Sequence, residues 1–292
     1  MKVLLIGSSV EDTIHASGNI YHRPGGIYYS VLGLTSAYTP DDLCLYTFKS
    51  DSQYYLFEEL YKNLRHDFII RTDKIPHIHL YIHDEGERTE VYQNITDKLW
   101  KNNLPDDFLK SLDGIYINMI TGFEMTPDDI RCLREKTGAF IYMDIHSLTR
   151  DYLPDGSRPQ RKLTDIKEWI GCIDALQANE YEIMTCGEHE DPDMIAAELV
   201  NSGLKHLFVT RGEEGADYFT LRNGSPVKIS YEPPVTKTVN KVGCGDVFGI
   251  INFYTYLLTG DIEKAVITAN RTAAAVAGFS DHNEFPKLRN LI

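Results

Sequence analysis

Two glycines and a carboxylate fall within four residues at Gly243-Cys244-Gly245-Asp246, and an apolar run begins immediately after them. Val247, Phe248, Ile250, Ile251, Phe253, Tyr254, Leu257 and Leu258 recur at the spacing of a buried helix, with Gly260 placed to end it. The glycines therefore sit at a helix entrance, where the first N–H groups have no intrahelical acceptor and the macrodipole is positive. Gly243 and Gly245 let the main chain come close to an anion, and Cys244 adds only a small side chain. Asp246 stands at the edge of this turn, placed to take a proton from a hydroxyl while the N–H groups hold charge on a migrating phosphoryl group. An ordinary glycine-rich loop, with Asp246 as a first-turn charge, uses the same residue types, and these positions alone leave both readings open.

The elements that must position this turn read as alternating strands and helices. Val3-Leu4-Leu5-Ile6 is a short apolar run of the kind that forms a strand buried on both faces, and Gly7-Ser8-Ser9 ends it. No G-x-G-x-x-G follows, so a dinucleotide site of the Rossmann kind is poorly supported. Asp12 comes soon after and reads either as a solvated loop acid or as a ligand group. Pro24-Gly25-Gly26 opens an apolar helical segment at 29–37, again with main-chain N–H groups on offer. Strands are expected at 43–48, 68–71, 114–119, 140–144, 175–178, 205–210 and 216–220. Helices are expected at 53–64, 127–137, 165–170, 180–185, 192–202 and 262–278. Such alternation means a doubly wound, mostly parallel sheet, and ligands bind such sheets at the carboxyl ends of strands. Asp144, Asn179 and Thr210 fall at those ends. No linker, repeat or low-complexity tract divides the chain, so 1–292 is expected to be one domain.

Residues 77–98 break the rhythm. His77-Ile78-His79-Leu80-Tyr81-Ile82-His83 alternates strictly, a turn follows, and the alternation resumes, which is a β-hairpin with one wet face. His77, His79 and His83 point the same way, but no carboxylate or thiolate accompanies them, so a polar strand face is the better reading than a metal site.

Composition narrows the partners. A net charge of −14 over 292 residues, with no long basic run, argues against nucleic acid or an anionic membrane. No apolar run approaches a membrane span, and the N-terminal one is too short for a signal peptide. The five cysteines are scattered without a C-x-x-C, which fits a reduced cytoplasm and no zinc site.

Taken in order, these segments resemble the ribokinase/PfkB family of carbohydrate and nucleoside kinases along nearly the whole chain. Gly25-Gly26-Ile27-Tyr28-Tyr29-Ser30-Val31 resembles the family's N-terminal Gly-Gly motif, and Asp84-Glu85-Gly86-Glu87-Arg88-Thr89 its lid turn. Ile120-Thr121-Gly122-Phe123 and Tyr142-Met143-Asp144 resemble segments after central strands. Asn179-Glu180-Tyr181-Glu182 is similar to the N-x-x-E magnesium motif, and Val209 to Gly215 to the nucleotide strand and turn. Gly243-Cys244-Gly245-Asp246 resembles the closing Gly-Ala-Gly-Asp.

The resemblance implies an ATP- and Mg²⁺-dependent transfer of a phosphoryl group to a hydroxymethyl of a sugar or related polyol, with a nucleoside kinase or an inactive binding relative as alternatives. It assigns Asp246 as general base, and Gly243, Cys244 and Gly245 as the anion hole. It places Asp12, Gly25 and Gly26 on the acceptor, and Asn179 and Glu182 at Mg²⁺. Thr210, Gly212 and Gly215 would border the nucleotide, and Asn270 would face its base. A small β lid, built from about 11–24 and 77–98, would cover the site and would also offer a homodimer interface. Three positions depart from the family pattern. Asn240-Lys241 replaces the usual Asp-Thr beside a monovalent-cation site, Cys244 replaces Ala, and Ser30 stands where sugar-specific members often carry Asn.

Overall fold

The computed structural model of the chain describes all residues except Ser17, Asn63, His66, residues 82–88, Thr96 and Asp97. Fourteen strands are defined among the described residues: β1 (Lys2–Ile6), β2 (Ser9–Ala16), β3 (Asn19–Gly26), β4 (Asp42–Tyr46), β5 (Phe48–Lys49), β6 (Ile70–Arg71), β7 (His77–Tyr81), β8 (Thr89–Gln93), β9 (Gly114–Asn118), β10 (Phe140–Asp144), β11 (Ala175–Asn179), β12 (His206–Thr210), β13 (Ala216–Arg222) and β14 (Ser225–Tyr231). The helices are α1 (Ile27–Ala37), α2 (Glu58–Tyr61), α3 (Asp106–Lys110), α4 (Pro127–Lys136), α5 (Ile166–Ile170), α6 (Pro192–Asn201), α7 (Cys244–Thr259) and α8 (Ile262–Ala277).

Eight strands form the main sheet in the order β14-β13-β12-β11-β10-β9-β1-β4. β4, β1, β9, β10, β11 and β12 pair in parallel, and β13 and β14 close one edge antiparallel. The central strands β1 and β9 are apolar through their middles because helices cover both faces: Val3, Leu4, Leu5, Ile6, Ile115, Tyr116 and Ile117 have no solvent exposure. Between β1 and β9 the strand order reverses, and the crevice at their carboxyl ends is where this topology leaves room for a ligand.

Glu124 ties that crevice together. Its buried carboxylate accepts hydrogen bonds from Ser8 Oγ at 2.6 Å, Thr121 N and Oγ1 at 2.9 Å, and Gly122 N at 3.0 Å. The ends of β1 and β9 are thus held in one geometry by a carboxylate that accepts four hydrogen bonds.

A second sheet, β3-β2-β7-β8, stands over the crevice as the lid. Its alternation gives it two different faces. Val10, Asp12, Ile78, Leu80, Glu90 and Tyr92 face inward onto the pocket. His77 and His79 are on the outer side, where Thr13 Oγ1 lies 2.8 Å from His77 Nε2 and 3.1 Å from His22 Nδ1, and His15 Nε2 lies 3.3 Å from His79 Nδ1. Among the described residues no group of three His, Cys, Asp or Glu is placed to hold a metal ion. His83 and the lid turn at 84–88 lie outside the described residues.

Several expectations need correction. Asp12 is on strand β2, paired across from Arg23, and not in a loop. The helix expected at 53–64 is one 3₁₀ turn at Tyr54–Leu56 and the single turn α2, and the strand expected at 68–71 is the two-residue β6, paired with β5 away from the main sheet. The segment 180–185 is a 3₁₀ turn at Ile183–Thr185. β14 is absent from the expected strands, because Pro226 and a half-exposed edge blur its period. No helix among the described residues is long and apolar enough to cross a membrane.

Candidate active site

α7 begins at Cys244 with Gly243 as N-cap, at φ +82° and with no side chain capping the turn. A Cβ at Gly243 would run into the ring of Tyr29, so both the left-handed backbone and the close contact call for glycine. The first backbone bond of the helix runs from Val247 N to Gly243 O at 2.9 Å, which leaves the N–H groups of Cys244 and Gly245 ahead of the helical ladder. Cys244 turns its thiol back toward Asn240 O at 3.6 Å. Burial first, and then the Asp246 charge, push this thiol up to about 12, so it is a neutral filler and not a nucleophile.

Asp246 lies in the first turn of the helix and is 9% exposed. Asn118, at the carboxyl end of β9, donates from Nδ2 to Asp246 Oδ1 at 2.6 Å and fixes the carboxylate's orientation. Behind it, Gln177 Nε2 donates both to Gly245 O at 3.1 Å and to Asp144 Oδ2 at 2.9 Å, while Tyr142 OH donates to Gln177 Oε1 at 2.9 Å. Three adjacent strand ends therefore brace the glycine turn through side chains.

Asp12, Gly26, Gly243 and Asp246 line one pocket, which also holds Val10, Tyr29, Ile78, Leu80, Glu90, Tyr92, Ile120, His146 and Val242. Gly25 lies against the Asp12 carboxylate so closely that a Cβ there would overlap it. Of these residues the sequence reading missed Tyr29, Glu90, Tyr92 and His146, together with Asn118, Gln177 and Glu124 behind them. The inward alternation of β8 and the strand-end position of Asn118 were the available signals.

The other expected residues lie away from this pocket. Asn179 and Thr210 are register partners at the ends of β11 and β12. The Asn179-Glu182 pair forms a local cap: Glu182 Oε2 accepts from Asn179 N at 2.8 Å, and Asn179 Oδ1 accepts from Glu182 N at 2.8 Å. Gly212 and Gly215 both adopt positive φ in the turn to β13. Asn270 is buried in α8 and gives its amide to Tyr231 O at 2.9 Å. Lys241 is exposed, and Asn240 Oδ1 accepts from Val242 N at 3.0 Å.

Asp144 has its carboxyl pushed well above the usual range by burial first, and then by the charges of Glu182 and Asp246. A folded-state pKa above the unfolded one means that folding takes up a proton. The contribution is fully present below the unfolded pKa and is lost as pH rises through the folded value. Asp144→Asn, neutral at every pH, should therefore raise Tm relative to the native chain more at pH 8 than at pH 5. Thermal melts at both pH values check this, and a difference independent of pH would remove the charge argument.

A doubly wound sheet with a β lid over an uncapped, glycine-opened helix is the architecture of the ribokinase-like proteins. The profile of the pfkB family carbohydrate kinases matches residues 52–284, and the chain belongs to that family. No curated protein sequence matches it. Among solved structures, a ribokinase from Thermotoga maritima superposes with a TM-score of 0.75 at 18% identity, covering 99% of this chain and 97% of that one. A pyrophosphate-dependent kinase in the ribokinase family, complexed with a pyrophosphate analog and myo-inositol, gives 0.73 at 16% identity, with 97% and 98% covered. A putative ribokinase II from E. coli in complex with ATP and Mg²⁺ gives 0.73 at 16% identity, with 99% and 98% covered.

Proposed function

We propose that the protein transfers the γ-phosphoryl group of ATP to a hydroxymethyl group of a sugar or related polyol. The observation that carries this reading is the meeting of Asp246, held by Asn118 at 2.6 Å, with the uncapped N-terminus of α7 at the floor of a pocket that also contains Asp12. Asp246 takes the hydroxyl proton as the oxygen attacks, and the N–H groups of Cys244 and Gly245 hold the charge on the transferring group. Positioning and charge stabilisation account for most of the rate in such chemistry.

Mg²⁺, when bound with the donor, would neutralise phosphate charge. Glu182, whose carboxylate sits at the end of β11 against Asn179 N, is the residue that would hold it together with Asn179. With no three-ligand cluster among the described residues, the ion would be held mainly through donor phosphates and water, with Asn179 fixing the turn that carries Glu182. Thr210, Gly212, Gly215 and Asn270 would border the nucleotide. The lid's outer side, with Ile20 and Tyr81 exposed, is the surface we assign to a homodimer, which sedimentation would test.

A nucleoside acceptor is the second reading, favoured by the Tyr29 and Tyr92 rings in the pocket. A phosphorylation screen of sugars, polyols and nucleosides with ATP and Mg²⁺, run in parallel with pyrophosphate as donor, decides between them. Loss of transfer to every acceptor would leave a binding protein. Asp12→Ala should raise the acceptor KM by about 10–100-fold, as expected for one charge-assisted hydrogen bond, with little change in the ATP KM. Equal effects on both substrates would return Asp12 to a structural role.

A further inference from the structure

Tyr29, in the first turn of α1, stands between two cavities. In front is the pocket of Asp12, Gly26 and Asp246, and behind is a smaller one that includes Arg23, Asn240, His282 and Phe285. Tyr29 and Val242 line both and so form the partition.

The tyrosine is 2% exposed, and its ring is clamped. Tyr28 meets it edge-on with centroids 5.9 Å apart, His282 does so at 5.4 Å, and Gly243 lies so close that a Cβ there would overlap the ring. Packing on these sides fixes where the hydroxyl sits.

That hydroxyl is buried and has no hydrogen-bond partner among the described residues. A buried tyrosine O–H normally finds one. Nothing in the back cavity bonds to it: His282 Nε2 is itself buried and unpaired, and Asn240 Oδ1 accepts from Val242 N. The charges acting on the hydroxyl point to the front. Asp12 comes first among them and Asp246 adds to it, and both line the front pocket, while Arg23 opposes them. Burial, more than these charges, holds the phenol well above its ordinary pKa, so it is a hydrogen-bond donor at any working pH.

A fixed donor beside carboxylates complements a ligand hydroxyl. Such a hydroxyl can accept from the phenol and still give its own proton to a carboxylate, whereas a C–H in the same place leaves the phenol unpaired.

We propose that Tyr29 is a specificity-determining residue, whose buried and unpaired hydroxyl donates to one hydroxyl of the acceptor and rejects the analogue that lacks it. This rests on the pocket at Asp246 being the acceptor site. Tyr29→Phe tests it, because the variant removes one oxygen and keeps the ring against Gly243. Calorimetric titration of the full chain uses myo-inositol, D-ribose and adenosine, followed by every monodeoxy form of a parent that binds. The native chain should bind one monodeoxy form about 10-fold or more weakly than its parent. Tyr29→Phe should weaken the parent by about 2–10-fold and leave that monodeoxy form unchanged. The acceptor KM should rise with the parent's Kd while kcat and the donor KM move much less. The free variant should melt no lower than the native chain, because no internal hydrogen bond is lost.

Unchanged affinity in Tyr29→Phe, or failure of all three parents to bind, overturns the proposal. A variant that melts several degrees lower, or does not fold, overturns it too, because the hydroxyl then has its partner within the protein. Affinity that depends on Tyr29 in a chain that transfers no phosphoryl group would keep the proposal and remove the kinase reading. Transfer to a bound acceptor whose affinity Tyr29→Phe leaves unaltered would do the reverse.

Discussion

Asp246→Asn should lower kcat by about 10²–10⁴-fold, the range expected when a general base is removed. The substitution is isosteric, and the introduced amide can still present its carbonyl oxygen to Asn118 Nδ2, which now sits 2.6 Å from Asp246 Oδ1. The turn, the pocket and the helix are therefore kept, and the loss is confined to proton acceptance. The KM for the donor should change little, because Asp246 lines the same pocket as Asp12 and Gly26, the one proposed for the acceptor. Steady-state rates with saturating donor, beside a thermal melt that shows an unchanged fold, make the measurement. Turnover near that of the native enzyme would take the base away from Asp246 and leave the anion hole to explain the chemistry alone.

Gly243→Ala should damage both stability and rate. A side chain at φ +82° costs about 1–2 kcal/mol for the left-handed conformation. Its methyl also enters the Tyr29 ring, and overpacking of this kind costs about 1–3 kcal/mol more. Urea unfolding should thus report a loss of about 2–5 kcal/mol, the two costs taken together. Any relaxation shifts the N–H groups of Cys244 and Gly245, and loss of one such donor lowers kcat by about 10²–10³-fold. Adding Tyr29→Ala removes the ring but not the backbone strain, so the double variant should recover part of the expected combined loss and no more. A single variant within about 0.5 kcal/mol of the native chain, the range of an ordinary surface substitution, would mean that neither constraint operates at Gly243.

The site was legible where chemistry is local in the chain. Gly243-Cys244-Gly245-Asp246 followed by an apolar helical run marks a helix entrance with a carboxylate in its first turn without reference to any other segment, and Gly25-Gly26 likewise precedes a helix. The alternation of apolar runs determined the class of sheet, because a strand buried on both faces tolerates little else. The sequence also placed a hairpin at 77–98 from its period of two.

What only the tertiary structure decided are the partners that meet across long separations. Asn118 reaches Asp246 from 128 positions away, and Glu124 joins Ser8 across 116. Nothing in a single chain marks which strand end stands beside which, since that depends on the order of strands in the sheet. Asp12 shows the same limit from another side: one buried acid on β2 and one solvated loop acid are the same letter until β3 and β7 pair with it. Glu90 faces inward only because β8 takes the register that pairs it with Leu80, and a slip of one residue would have turned it to solvent. Local bonding and periodicity are properties of neighbours in sequence, whereas the composition of the pocket is a property of register and strand order, which are set when the whole core packs at once.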